Sequence, residues 1–220
     1  MLYFFMQLKL LLFDLDGTLV DTSRDIANAL NHALKSLHMQ ELTLHETVSM
    51  IGEGVTRLVE KVLGERNMHL KDEMKQRFLA YYEQHLVDSS TVYPFVQETL
   101  PLLSPFRKAV ISNKRESLSQ ELLEKIDLRR YFDLVVGSDT TPEKKPSPVP
   151  VKYVLNKFGV QGHESLLTGD SRYDIEAGKR AGVRTIGVTY GYGTLEQVEG
   201  ADYLIDSFRG ICGVLDIQSG

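Results

Sequence analysis

The sequence predicts an α/β protein: a doubly wound, Rossmann-like parallel sheet core with an inserted all-helical cap. Three observations lead there. Short apolar runs without polar alternation mark strands buried on both faces, as in a parallel sheet. From about residue 92 onward these runs alternate with stretches of helical period, the pattern of right-handed βαβ crossovers. Between residues 21 and 91 no strand-like run occurs and helical stripes follow one another. The expected organisation is a discontinuous core, 1–20 with 92–220, and a helical cap, 21–91.

The first strand is expected at Leu8–Phe13. The whole stretch from Met1 to Phe13 is apolar, but Gln7 and Lys9 interrupt it and it lacks a basic n-region and a small-residue cleavage site. It is also far short of the roughly 20 residues a membrane span needs. Met1 to Phe5 reads as an extension, with Met6 as an equally good start. In the helical unit, Ile26, Leu30, Ala33, Leu34 and Leu37 form one stripe; Val55, Leu58, Val59, Val62 and Leu63 form a second. Met74, Phe78, Tyr81, Tyr82 and Leu86 form a third.

Later strands are expected at Lys108–Ile111, Leu134–Val136, Leu166–Leu167, Val183–Val188 and Tyr203–Ile205. Leu118, Leu122 and Ile126 mark a helix over Arg115–Ile126. Val151, Val154, Leu155 and Phe158 mark another after the proline cluster Pro142 to Pro150. Tyr190-Gly191-Tyr192-Gly193 reads as a flexible loop at the sheet edge.

Composition narrows the function classes. The 220 residues are 42% hydrophobic and 25% charged, an ordinary globular balance. A net charge of -5 invites neither a nucleic-acid backbone nor an anionic membrane surface. The single cysteine, Cys212, permits no internal disulfide and no multi-thiolate zinc site, which fits a cytoplasmic protein. The six histidines show no ligand spacing and read as solvated or packing residues.

Chemistry gathers at strand ends. Asp14 and Asp16 directly follow the first strand, and ligands of open α/β sheets bind at the carboxyl ends of strands. Their spacing of two lets both side chains lean toward one crevice. Gly17 lets the backbone bend so that local N–H groups can cradle an anion. The same Asp-x-Asp-Gly run is also a common turn.

Ser112-Asn113 follows the second core strand, where the hydroxyl and amides can hold a phosphate oxygen or cap a helix. Lys145, in Glu143-Lys144-Lys145-Pro146-Ser147-Pro148, either points its charge into the crevice or is simply solvated. Asp170 and Asp174, in Gly169-Asp170-Ser171-Arg172-Tyr173-Asp174, either join the crevice or serve as an N-cap and a first-turn charge. Together these residues converge on one point. Asp14, Asp16 and Asp170 are hard oxygen ligands suited to Mg²⁺, and Lys145 with Ser112 suits a phosphoryl group.

The set resembles the haloacid dehalogenase superfamily, and within it the phosphoglycolate phosphatase group. Four motifs carry the likeness: Asp14-Leu15-Asp16-Gly17-Thr18-Leu19-Val20-Asp21, Ile111-Ser112-Asn113, Lys145-Pro146-Ser147-Pro148, and Gly169-Asp170-Ser171-Arg172-Tyr173-Asp174. The resemblance implies a strand order that the sequence does not show. It implies Asp14 as nucleophile forming an aspartyl-phosphate, and Asp16 as general acid/base. The acid at residue 16 argues against the dehalogenase branch. Mg²⁺ would be held by Asp14, the Asp16 carbonyl and Asp170, with Asp174 supporting the site. Ser112, Asn113 and Lys145 would bind the phosphoryl group, and Thr18 would support the loop or a phosphate oxygen.

The cap would choose the ester. Gly52-Glu53-Gly54, just before a helical stripe, reads as a specificity loop lowered onto the crevice. Arg57 either pairs with a substrate carboxylate or is a solvated helix residue. The expected reaction is hydrolysis of 2-phosphoglycolate to glycolate and phosphate. Pyrophosphatase, sugar-phosphate phosphatase or mutase, and nucleotidase activities remain open, as does a catalytically idle binding relative. The expected partner is a small phosphorylated metabolite, with no nucleic acid or membrane, acting on a monomer or homodimer.

Overall fold

The computed structural model describes residues 8–217; the extension at Met1 to Phe5 and the second start at Met6 lie outside them. In chain order the first half comprises β1 (Leu10–Phe13), β2 (Val20–Asp21), α1 (Ser23–Ser36), α2 (Leu44–Val48), α3 (Gly54–Leu63), α4 (Lys71–Gln84) and β3 (Thr91–Val92). The core then continues with α5 (Val96–Thr99), β4 (Arg107–Ile111), α6 (Glu116–Lys125), β5 (Leu134–Val136) and α7 (Val149–Phe158). It closes with β6 (Ser165–Gly169), α8 (Arg172–Ala181), β7 (Arg184–Val188), α9 (Leu195–Val198), β8 (Tyr203–Ile205) and α10 (Gly210–Val214).

Six parallel strands form the central sheet in the order β5-β4-β1-β6-β7-β8. The Leu-Leu-Leu-Phe run of β1 is wholly buried because both of its faces are covered. Leu11 and Phe13 pack with α6, α10 and the helical cap, while Leu10 and Leu12 pack with α7 and α8. Each such side chain contributes about 1.5–3 kcal/mol of burial, which makes β1 the natural centre. It pairs with β4 on one side and β6 on the other. The residues that directly follow these three neighbours are Asp14, Ser112 and Asp170. The sheet order therefore sets all three at one crevice.

The cap buries the stripes anticipated for it, with Ile26, Leu30, Ala33 and Leu34 of α1 against Leu58 and Val59 of α3 and Met74, Phe78 and Tyr82 of α4. Tyr81, one position off that face of α4, instead stacks between His32 and His85, at 4.3 and 4.1 Å between ring centroids.

The structure corrects the expectation that no strand touches 21–91. Asp21 pairs with Thr91 and Val20 with Val92 in an antiparallel ribbon through which the helical unit is entered and left. Two-residue strands leave no hydrophobic period to read. Other boundaries move by a few residues: β6 extends beyond Leu166–Leu167 in both directions, and Leu8 and Val183 are buried but outside their strands. No helix of the described residues is long and apolar enough to cross a membrane.

Candidate active site

The turn after β1 is built around the Leu15 carbonyl, which accepts from the amides of Thr18, Leu19 and Val20 at 3.3, 3.0 and 3.1 Å; the Gly17 amide donates to Val20 at 2.9 Å. The expectation that this turn cradles an anion is thereby corrected for residues 17–20, whose N–H groups are held by their own turn. Gly17 has a φ of +86, and a Cβ there would lie 2.3 Å from Asp170 Oδ2. Glycine is required both for the turn and for the approach of the Asp170 carboxylate.

Around that turn the structure assembles a buried charge cluster. Lys145 Nζ donates to Asp14 Oδ1 at 2.7 Å and to Asp174 Oδ1 at 2.6 Å. The other Asp174 oxygen accepts from the Ser171 amide and hydroxyl at 3.1 and 2.6 Å. Ser171, not Asp170, is thus the N-cap of α8, in a capping box with Asp174. Asp170 Oδ2 accepts from the amides of Tyr192 and Gly193 at 2.7 and 3.3 Å. Asp14, Asp170 and Asp174 can each present an oxygen within 4.8 Å of the others.

One ammonium faces three carboxylates here, and the excess negative charge is buried. Burial, aided by Asp174 and Asp170 and opposed by Lys145, pushes the Asp14 carboxyl well above the usual range. Burial and the Asp174 charge push Asp170 up to about 7, against the pull of the Tyr192 and Gly193 amides. Burial disfavours charge on Lys145, but Asp14 and Asp174 outweigh it and raise its pKa. A buried all-oxygen set with surplus negative charge fits a small divalent cation.

Asp16 stands apart from that cluster. Its Oδ1 accepts from the Thr22 hydroxyl at 2.6 Å and is ion-paired with Lys114. Lys114 in turn lies 5.3 Å over the Tyr82 ring. Burial is the largest influence on Lys114 and opposes its charge, yet Asp16 and Tyr82 raise its pKa. Burial pushes the Tyr82 phenol up to about 12. Sequence reasoning missed Lys114 because a Lys-Arg pair opening a helix reads as solvated surface. Its spacing of two from Ser112, the argument applied to Asp14 and Asp16, was the available signal.

Ser112 and Asn113 line a cavity of about 80 Å³ that also contains Asp14, Asp16, Lys114 and Arg115. Neither caps α6, whose N-cap is Arg115. The Asn113 amide nitrogen donates to the carbonyls of Gly52 and Lys145 at 2.8 and 3.0 Å, tying the cap loop to the core. Thr18 is fully buried, does not line this cavity, and accepts at its carbonyl from the Tyr190 hydroxyl at 2.8 Å.

The Gly52-Glu53-Gly54 loop does descend onto the crevice. Gly54 has a φ of +76, and a Cβ there would lie 2.5 Å from the Asn113 carbonyl oxygen. The Glu53 and Arg57 side chains turn away: Glu53 bonds Lys61 at 2.7 Å, and Arg57 pairs with Glu60 at 2.5 Å while remaining 55% exposed. Arg57 lies on an outer groove with Lys144 and Arg180, not on the cavity that contains Asp14.

The segment read as a flexible edge loop, Tyr190 to Gly193, is packed over the site. Besides its amide bonds to Asp170, Tyr192 accepts at its hydroxyl from the Thr22 amide at 2.7 Å and donates to Asp21 at 3.0 Å. The segment follows β7, which lies beside β6, so the strand order carries it to Asp170.

The same chain-wide pattern occurs in known proteins. The model of the haloacid dehalogenase-like hydrolase family matches residues 11–188. The phosphoglycolate phosphatase of Aquifex aeolicus is 42% identical over 191 residues, covering 84% of this chain and 86% of its own. That of Chromobacterium violaceum is 38% identical over 207 residues, covering 91% of this chain and 93% of its own. A crystal structure described as a predicted phosphoglycolate phosphatase from Haemophilus somnus superposes with a TM-score of 0.87 at 32% identity, covering 94% of this chain and 98% of its own. The chain belongs to the haloacid dehalogenase-like hydrolase family, as a phosphoric monoester hydrolase of its phosphoglycolate phosphatase-like group.

Proposed function

We propose that the protein is a Mg²⁺-dependent phosphatase that converts 2-phosphoglycolate to glycolate and phosphate through an aspartyl-phosphate on Asp14. The observation that carries this reading is the position of Asp14, which is bound by Lys145 and lines a small cavity together with Asp16, Ser112 and Asn113. A carboxylate oxygen of Asp14 attacks phosphorus, forming the acyl-phosphate bond as the ester P–O bond breaks. Lys145, which donates to that carboxylate, and the Ser112 hydroxyl, on the same cavity, are the donors for the phosphoryl oxygens. Asp16 carries the proton to the departing alkoxide, then takes one from the water that attacks phosphorus and frees Asp14. Its Oδ1 is fixed by Thr22 and Lys114, while its Oδ2 has no partner among the described residues and is open to carry that proton.

Asp14, Asp170 and the Asp16 carbonyl would hold Mg²⁺, with Asp174 fixed behind them by Lys145 and Ser171; the ion supplies positive charge to the carboxylates and the phosphoryl oxygens. The expected setting is the cytoplasm and the expected partner a small phosphorylated metabolite, acting on a monomer or homodimer. Asp14→Asn tests the nucleophile in a p-nitrophenyl phosphate assay with Mg²⁺. Activity falls below about 1% while the melting curve is retained; greater residual turnover sinks the assignment. Ranking 2-phosphoglycolate, pyrophosphate and other esters by kcat/KM tests the substrate, and a pyrophosphate lead of about tenfold or more rejects phosphoglycolate.

A further inference from the structure

We infer that Arg115 binds a second anionic group on the leaving alcohol, so that the site selects phosphate esters of short hydroxy acids over those of uncharged alcohols. The inference rests on the phosphatase reading and concerns how the same cavity chooses its substrate. The charged residues lining the cavity are Asp14, Asp16, Lys114 and Arg115. Asp14 is bound by Lys145, and Asp16 and Lys114 neutralise each other. The Arg115 guanidinium has no carboxylate, hydrogen-bond or ring partner among the described residues; only its backbone carbonyl is engaged, by Ser119. It is half-buried, so part of its hydration is already lost.

The cap cannot supply this charge. Its contributions to the cavity, including Ile51, Val55, Leu58 and Phe78, carry no cation, and the Tyr82 phenol, pushed up to about 12, stays neutral. Arg57, the cap arginine anticipated for a substrate carboxylate, is paired with glutamates on the outer surface. A neutral alcohol would leave the Arg115 cation without an anion to pair with, whereas a carboxylate would complete a charge-assisted contact of the kind that guanidinium makes in bidentate form. Arg115 belongs to the core, one residue after Lys114. Recognition of the second anion would therefore be built into the same turn that holds Asp16.

The test compares 2-phosphoglycolate with ethyl phosphate, in which a methyl replaces the carboxylate, in wild type, Arg115→Gln and Arg115→Lys with Mg²⁺. Arg115→Gln lowers kcat/KM for 2-phosphoglycolate about 30-fold, chiefly through KM, and leaves ethyl phosphate within about twofold; Arg115→Lys restores part of the loss. An unchanged ratio of the two substrates, or an equal loss of both, overturns the inference. A measurement on the unmutated protein guards against misfolding: phosphonoacetate inhibits p-nitrophenyl phosphate hydrolysis at least about tenfold more strongly than ethylphosphonate. Equal inhibition also overturns it. The two proposals fail separately. If a bisphosphate outruns 2-phosphoglycolate and Arg115→Gln removes that lead, phosphoglycolate is rejected and the Arg115 inference stands. If 2-phosphoglycolate leads equally in wild type and variant, the reverse holds.

Discussion

Lys114 is ion-paired with Asp16, their side chains only 7% and 14% exposed, so the proton carrier of the proposed reaction is held by a cation from the turn after β4. This contact couples two strand ends that are 98 residues apart in sequence. It leaves the Asp16 side chain outside the carboxylate cluster of Asp14, Asp170 and Asp174, and so separates the proton-carrying carboxylate from those that would hold the metal.

That separation predicts the phenotype of Asp16→Asn. p-Nitrophenolate leaves without a proton, so phosphorylation of Asp14 proceeds while activation of water does not. A burst of about one p-nitrophenol per chain should precede slow turnover, with the phosphate found on Asp14 by mass spectrometry. Linear release without a burst would remove Asp16 from the second step.

Asp170 predicts a trade between stability and metal binding. Its folded-state pKa is raised to about 7 by burial and by Asp174, above its value in the unfolded chain. The proton is therefore favoured in the folded state, and ionisation opposes folding increasingly from the ordinary carboxylate range up to about pH 7 and fully above it. Asp170→Asn keeps an oxygen for the Tyr192 and Gly193 amides but removes the charge. In chelator at neutral pH it should be more stable by on the order of 1–2 kcal/mol, whereas Mg²⁺ should raise the wild-type Tm and leave the variant's unchanged. A variant less stable than wild type in chelator would contradict the repulsion argument.

Lys145→Met should show the opposite sign. The substitution leaves Asp14 and Asp174 buried without their common cation, a loss of at least about 3 kcal/mol in urea unfolding. Combining it with Asp14→Asn removes one of the unpaired charges and should recover part of that loss. Strict additivity of the two changes would mean that Lys145 and Asp14 are not coupled.

Gly54→Ala tests the seating of the cap loop. The added Cβ would meet the Asn113 carbonyl at 2.5 Å in a backbone with φ of +76, whereas Gly64, with φ of +57, has open space. Gly64→Ala meets no neighbour, but at φ of +57 and ψ of -177 it enters a region almost restricted to glycine, at a backbone cost of about 1–3 kcal/mol. Both variants should lose stability, but only Gly54→Ala should raise KM. Equal kinetics in the two variants would detach the loop from the site.

Much of this arrangement was legible in local sequence. The unbroken apolar run before Asp14 announced a doubly covered strand; Asp14 and Ser112 each sit one residue past such a run, and Asp170 three residues past Leu166–Leu167. Helical periods in the cap were equally plain, and the residues on its stripes are buried largely as expected. Asp174 and Lys145 were visible as residue types, but both could also have been ordinary helix-end or surface charges.

What local sequence could not carry was proximity across the sheet. That Tyr192 would cover Asp170 depends on β7 lying beside β6, and that Lys114 would face Asp16 depends on β4 lying beside β1. Arg57 and Arg115 show the same limit, since both are arginines near glycine-rich or helix-start segments and only packing turns one outward and leaves the other on the cavity. By itself, the sequence determined the class of fold, the strand ends and the chemical inventory, because apolar period and residue type act over a few neighbouring positions. Tertiary structure alone decided which charges meet, because pairing energy depends on distance and burial between segments that the chain brings together only when the sheet is complete.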